Sequence, residues 1–499
     1  YAPSEKFTLV DETGASIPYQ VRRSEEVDVS TLSIWTLYLS GKNPMYKMEI
    51  AFYLDFDFNV GYRVLTLKKR TSRTTGRQGI SVQEDHTFEN DFYRLQVLPD
   101  GSLTLYDKET GTALEDLLVF EDCGDAGDTY NYSPVREDTR VLSKGRQARI
   151  SVLEQGPVYT SVLIEQVLPV PEKLVDNDVR RSEKQVSVPI RTTLNLYTDL
   201  KRIDCRTEIE NRALDHRIRV LFNAGVTSTV SNAETQFSTI QHPNTILAEN
   251  WEKAGWKEKP LPIYSQQRFV DLNDGARGLA ILNKGLPEYE IYEDTTIAIT
   301  LVRGVGMMGK GDLLIRPGRP SGMSFPTPDA QCLGKRVLEY AIFPHSGDTD
   351  GGRVAAQAAQ FEAPALVVQN RIHKEKLISK EKVVGQFLEI ESFTDQVRGQ
   401  LQPVDSLSLS LMTVNREEIL ISAVKKAEKE LALVVRVYNA GSTQVDGVQL
   451  QFGKVIKAAC LTDFSEKDKD VLSFDEDNLI ILQAIPGYTA KTIKIYFQG

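Results

Sequence analysis

The chain has 499 residues, 41% hydrophobic and 26% charged, with a formal net charge of −10. That length exceeds one compact core and suggests about three domains. An acidic balance repels phosphate backbones and argues against a nucleic-acid partner, and no apolar run reaches the length of a membrane span.

In chain order, a small first domain over residues 1–79 ends in the polar, basic stretch Lys68 to Gly79 (KKRTSRTTGRQG), which reads as a linker. The period then becomes two. Tyr93, Leu95 and Val97 alternate with Arg94 and Gln96, Pro99-Asp100-Gly101 turns, and Leu103 and Leu105 resume the apolar face, so a β-hairpin is predicted. A second turn follows at Lys108-Glu109-Thr110-Gly111. Alternation recurs over Ser151 to Leu153, Tyr159 to Val167, Arg191 to Tyr197 and Ile203 to Ile209. Arg353 to Phe361 is one short helical candidate. A charged stretch from Arg371 to Lys382 precedes a last block of strands: Glu418 to Val424, Leu431 to Tyr438 and Val445 to Phe452. The prediction is an all-β protein of several β-sandwiches, with boundaries at 1–79, 80–372 and 373–499.

The four cysteines (Cys123, Cys205, Cys332, Cys460) are scattered without C-x-x-C spacing, which speaks against a disulfide framework or thiolate zinc site and predicts reduced thiols in a cytoplasmic protein. No two of His86, His216, His242, His345 and His373 lie within five residues of each other, and no H-E-x-x-H, G-x-S-x-G or Walker pattern occurs. Gly304 to Gly309 fits G-x-G-x-x-G formally, but no βαβ pattern surrounds it. In Asp215 to Phe222 a strand would place His216, Ile218, Val220 and Phe222 on one face. His216 then reads as a core histidine with one hydrogen bond. Arg217 and Arg219 would share the other face, pairing with Asp204, Glu208 or Glu210 of the preceding strand or lining a polar groove.

Two loops stand out. Cys123 to Pro134 (CGDAGDTYNYSP) gathers glycines, carboxylates and tyrosines. Asp offers acceptors for sugar hydroxyls and Tyr a flat face with a polar tip, while aspartates in such loops also cap their own backbone. Asp125 and Asp128 could form the carboxylate pair of a glycosidase, or be turn formers. Arg316 to Gly322 (RPGRPSG) follows a rigid path, on which Arg316 or Arg319 either reaches a substrate or fastens the loop to backbone carbonyls.

Eight segments in order carry a resemblance: Phe88 to Asp107, Gly124 to Pro134, Asp215 to Phe222, Gly278 to Tyr289, Arg316 to Gln331, Tyr340 to His345, Glu418 to Glu428 and Val437 to Ala440. Together they are similar to the C-terminal β half of glycoside hydrolase family 38, the α-mannosidases, in particular the bacterial branch that includes mannosylglycerate hydrolases. The resemblance implies that the middle domain is a large supersandwich, similar in shape to sugar-mutarotase domains. It implies an enzyme that hydrolyses α-mannosides by a zinc-assisted retaining mechanism. It places the nucleophile, acid/base and zinc ligands in an N-terminal domain outside this chain, so no catalytic or metal-binding residue is expected here. It gives Tyr130 the position of a tyrosine that approaches the sugar, and matches Arg316 or Arg319 to an arginine at the same rim. Asp125 and Asp128 complete the expected substrate-binding set. The expected partners are a mannoside and the catalytic domain, with homo-oligomerisation left open. The alternative is a non-catalytic carbohydrate-binding or structural β module, although Trp35, Trp251 and Trp256 form no aromatic stripe in the sequence.

Overall fold

The computed structural model describes residues 7–27, 45–55, 59–69, 79–246, 250–368 and 408–498. Most of the linker stretch 68–79, all of 371–382, Trp35 and His373 lie outside them. Two compact units divide the chain. One comprises Tyr1–Arg77, Ala363–Thr413 and Gln451–Val455, the other Gln78–Glu362, Val414–Leu450 and Ile456–Gly499.

In the first unit, Phe7–Val10 lies between Ser16–Ile17 and Thr66–Lys69, and Tyr19–Val27 pairs antiparallel with Met45–Phe52. Leu9, Val10 and Ile17 are buried, and the Phe7 and Tyr19 rings stack 4.8 Å apart.

The second unit is built on two large antiparallel sheets. One runs, in spatial order, Ile263–Ser265, Glu288–Tyr292, Thr296–Gly304, His216–Asn223, Thr112–Gly124, Leu103–Asp107, Tyr93–Val97, Thr87–Glu89 and Ser81–Val82, with Val141–Leu142 beside Thr112–Gly124. The other runs Arg149–Gln155, Tyr159–Pro171, Gln185–Tyr197, Ile203–Asn211, Gly334–Ser346, Arg277–Asn283, Phe269–Asn273, Val230–Thr235 and Ser238–Pro243. Alternation along each strand sends one side chain in two inward, so residues of both sheets form one core. Phe120, Ile218, Val220 and Phe222 come from the first sheet, Val162, Leu194, Ile203 and Ile342 from the second. Phe222 meets Tyr340 edge-on across the interface at 5.9 Å. The predicted hairpin pairs Leu105 with Leu95, and Gly101 takes the positive φ of +81° that its turn requires.

The helical candidate forms a helix, Val354–Glu362, whose Val354, Ala358 and Phe361 fall on one face. They cover the second sheet's outer face at Phe269, Ala280, Leu282, Ala341 and Phe343. The closing strands form a sheet ordered Ile419–Lys426, Leu433–Asn439, Ala490–Phe497, Ile456–Thr462 and Asp468–Val471. This sheet meets the large sandwich through Arg268 Nη2, which donates to the Tyr438 hydroxyl at 2.9 Å, and through Ser442, whose N–H and hydroxyl both donate to Asp350.

Just before the helix, the buried His345 donates from Nε2 to Asp271 Oδ1 at 3.0 Å, and Asp271 Oδ2 also accepts from Thr349 and Asn273. Burial disfavours the charged ring, but the hydrogen bond and charge of Asp271 outweigh it and hold the His345 pKa above 6.5. A raised histidine pKa stabilises the fold fully below the unfolded value, and that contribution is lost as pH rises through the higher folded value. The stability difference between the wild type and His345→Gln is therefore expected to shrink from pH 6 to pH 9, read by denaturant titration at each pH. A difference constant with pH would show that His345 is not charged in the fold.

Candidate functional site

The strand Thr112–Gly124 leaves the sheet at Gly124, and the chain enters the loop singled out in the sequence. Asp125 turns back on it: its Oδ1 accepts from the N–H of Gly127 at 2.8 Å and of Ser133 at 3.3 Å. Gly127 is needed there, since a Cβ would lie 2.0 Å from the Asn131 carbonyl oxygen. Asp128 closes the tip. Its Oδ1 accepts the N–H groups of Tyr130 and Asn131, both at 3.0 Å. Its Oδ2 accepts from the Lys310 N–H at 3.0 Å, Arg316 Nη2 at 2.6 Å and the Ser321 hydroxyl at 2.7 Å.

Three cations hold the loop. Arg303 Nε donates to Asp125 Oδ2 at 2.6 Å, while its Nη2 donates to the carbonyls of Asp128 and Asn131. Lys310 Nζ donates to the Ala126 carbonyl and to Asp178. Arg316 donates to Asp128, to Asn131 Oδ1 at 2.6 Å, to Glu258 at 2.8 Å and to the Arg319 carbonyl. The two loops of the sequence thus form one crest, joined by an ion pair between residues 188 apart.

The geometry sorts the expected substrate-binding residues. Asp125 and Asp128 are wholly enclosed and Arg316 is 3% exposed, each with its polar atoms turned inward. They have the arrangement of turn formers and loop fasteners, the second of the two readings open in the sequence. Tyr130 is 58% exposed, and Arg319 is also on the surface. The Tyr130 ring lies against Gly322, where a Cβ would come within 2.9 Å of the hydroxyl oxygen. Trp256, Met323 and Phe325 are exposed on the segments that carry the crest.

The two carboxyls differ in acidity. Burial raises the Asp125 pKa above its ordinary value, against the pull of Arg303. Asp128 resists its own desolvation: the hydrogen bonds from Lys310, Ser321, Asn131 and Tyr130 hold it below the ordinary range.

Beneath the crest lies a charged layer on the sheet face turned away from the core. Arg217 pairs with Glu288 at 3.2 Å and lies 3.7 Å from the Tyr132 ring centre. Arg219 bonds Glu121 and, at 2.5 Å, Glu290. Pairing with Asp204, Glu208 or Glu210, one of the two readings open in the sequence, does not occur. Those three belong to Ile203–Asn211 in the other sheet and bond Arg202, Arg206 and Arg212 there. The chain crosses between sheets at residues 212–215, so consecutive strands are not neighbours. His216 is buried, as expected, but holds two bonds: Nδ1 to Asp122 Oδ2 at 2.5 Å and Nε2 to Asn211 Oδ1 at 2.9 Å. Asp122 also binds the buried Arg181.

Arg303, Lys310 and Asp122 were not singled out in the sequence. Arg303 left a signal: it is the one charge in the strand TIAITLVRG, immediately before a glycine-rich run. Gly304 to Gly309 is followed by no helix of a dinucleotide fold, in keeping with its dismissal. Among the described residues, no group of three or more His, Cys, Asp or Glu side chains is placed to hold a metal ion. Nor does any helix among them have the length and apolarity to cross a membrane.

Two facing antiparallel sheets carry the pinned loop crest, and a further five-stranded sheet is appended to them. Residues 88–308 match the glycosyl hydrolases family 38 C-terminal domain, and residues 418–497 match the family 38 C-terminal beta sandwich domain. The chain belongs to glycoside hydrolase family 38. It is 30% identical over 346 residues to a putative mannosylglycerate hydrolase of Halalkalibacterium halodurans, an alignment covering 66% of this chain and 36% of that protein. Two solved structures from Enterococcus faecalis share its fold over 99% of the chain, each with a TM-score of 0.77. One is a family 38 protein at 21% identity, the other an alpha-mannosidase at 22%. The chain spans 53% and 51% of those two chains, about half of each.

Proposed function

We propose that this chain is the non-catalytic β portion of an α-mannosidase, cutting α-mannosidic bonds by a zinc-dependent retaining mechanism, and that it supplies one wall of the sugar site. The observation that carries the reading is the presentation of Tyr130. Its side chain is exposed while its N–H is held by Asp128 and the carbonyls of Asp128 and Asn131 on either side are held by Arg303, which suits a residue that must meet a ligand without moving. The similarity to a mannosylglycerate hydrolase and an alpha-mannosidase supports a mannoside as the substrate. In this reading Tyr130 and Arg319 face the sugar, and Asp125, Asp128 and Arg316 act behind them as positioning residues.

The described residues do not fit zinc, because they offer no clustered donor set. In this reading the metal and the cleaving carboxyl groups belong to the part of the family fold that this chain does not span, about half of each solved family structure. The purified 499-residue chain with added zinc is expected to leave an aryl α-mannoside intact, while the protein with its catalytic portion hydrolyses it. Robust, zinc-dependent turnover by the 499-residue chain would overturn this division of roles.

A further inference from the structure

Arg303 stands one residue before the end of the strand Thr296–Gly304, on the face away from the core, opposite Arg217 in the neighbouring strand. Its guanidinium reaches upward into the crest. Nε donates to Asp125 Oδ2 at 2.6 Å, and Nη2 donates to the carbonyls of Asp128 at 2.7 Å and Asn131 at 2.5 Å. Those carbonyls belong to the residues that bracket Thr129 and Tyr130. Asp128 Oδ1 ties the same turn from the other side through the N–H groups of Tyr130 and Asn131. The Thr129 hydroxyl adds a bond to the Met308 carbonyl at 2.8 Å. One planar fork thus gathers a carboxylate and both ends of the turn, which a lysine, with a single point of charge, cannot reproduce.

We propose that Arg303 is a positioning residue for the sugar: it sets the place of the Tyr130 hydroxyl, and thereby substrate affinity, without touching substrate. This rests on the reading of Tyr130 given above. Arg303 is 18% exposed at its side chain and directed at the underside of the turn, so it acts through the loop.

The test has two arms. In the 499-residue chain, Arg303→Met is expected to speed backbone amide exchange at least tenfold across residues 128–131, while exchange in the strand Tyr159–Pro171 stays unchanged. In the protein with its catalytic portion, Arg303→Met is expected to raise KM for an aryl α-mannoside about tenfold with kcat within about twofold. Arg303→Lys should fall between, and carries the test if the methionine variant fails to fold. In a Tyr130→Phe background, Arg303→Met should add less than about twofold to KM, since both changes act on one hydroxyl; a general loss of stability would multiply instead. Unchanged exchange and KM in Arg303→Met, or full multiplication with Tyr130→Phe, would overturn the proposal. If Tyr130→Phe alone leaves KM unaltered, the reading of Tyr130 falls and the proposal with it. Failure in the exchange arm strikes Arg303 alone.

Discussion

Asp128→Ala is expected to destabilise the crest by about 3 kcal/mol, at the lower end of the range for breaking a buried ion pair. The carboxylate accepts five hydrogen bonds, and its removal leaves the N–H groups of Tyr130, Asn131 and Lys310 without an acceptor inside the loop. The enclosed Arg316 also loses its buried carboxylate partner. The cost stays at the lower end because Arg316 keeps Asn131, Glu258 and the Arg319 carbonyl. Asp128→Asn should cost less, since one oxygen can still cap the turn while the amide nitrogen faces the donors of Arg316 and Ser321. Amide exchange across residues 124–134 reports the loss locally, and thermal unfolding shows whether it spreads. Wild-type exchange in Asp128→Ala would mean that the crest is held chiefly by its backbone, and that the convergence on this carboxylate is incidental.

The second large effect lies at the root of the crest. Asp122→Ala is expected to lower stability by about 3–5 kcal/mol, because it leaves the guanidinium of Arg181 and the ring of His216 buried without their shared carboxylate. Arg181 retains the Thr139 carbonyl at 2.9 Å, and its next carboxylate, on Asp138, is 3.9 Å away. Asp138 in turn accepts the Gly124 N–H, where the strand gives way to the loop. The damage should therefore reach the crest as well as the sandwich. Denaturant unfolding measures the loss, and His216→Ala provides the comparison, since it removes one partner of Asp122 and leaves Arg181 paired. A loss below about 1 kcal/mol in Asp122→Ala would show that solvent or a repacked side chain readily replaces the carboxylate.

The all-β class was legible because strand formation is written locally. Alternation from Tyr93 to Val97 and from Ile203 to Ile209 predicts strands that the structure contains, and Asp100-Gly101 marks the turn between two of them. The helix over Val354–Glu362 was readable for the same reason. Both crest loops stood out by composition, and eight ordered segments sufficed to point to the family. The roles within those loops were not readable. Asp125 and Asp128 could serve a sugar or a turn, because a carboxylate's chemistry is the same in both settings and only its neighbours differ.

By itself, the sequence determined the strands, their turns, the family and the two loops of unusual composition, since each depends on residues close together along the chain. Only the tertiary structure decided which sheet each strand joined. From that followed the partners of Arg217 and Arg219, the meeting of Asp128 with Arg316 and the role of Arg303. These depend on where the chain crosses from one sheet to the other, and a crossing at residues 212–215 leaves no periodic trace. Side-chain contact is a property of distance in space, and Asp128 meets Arg316 across 188 residues of chain.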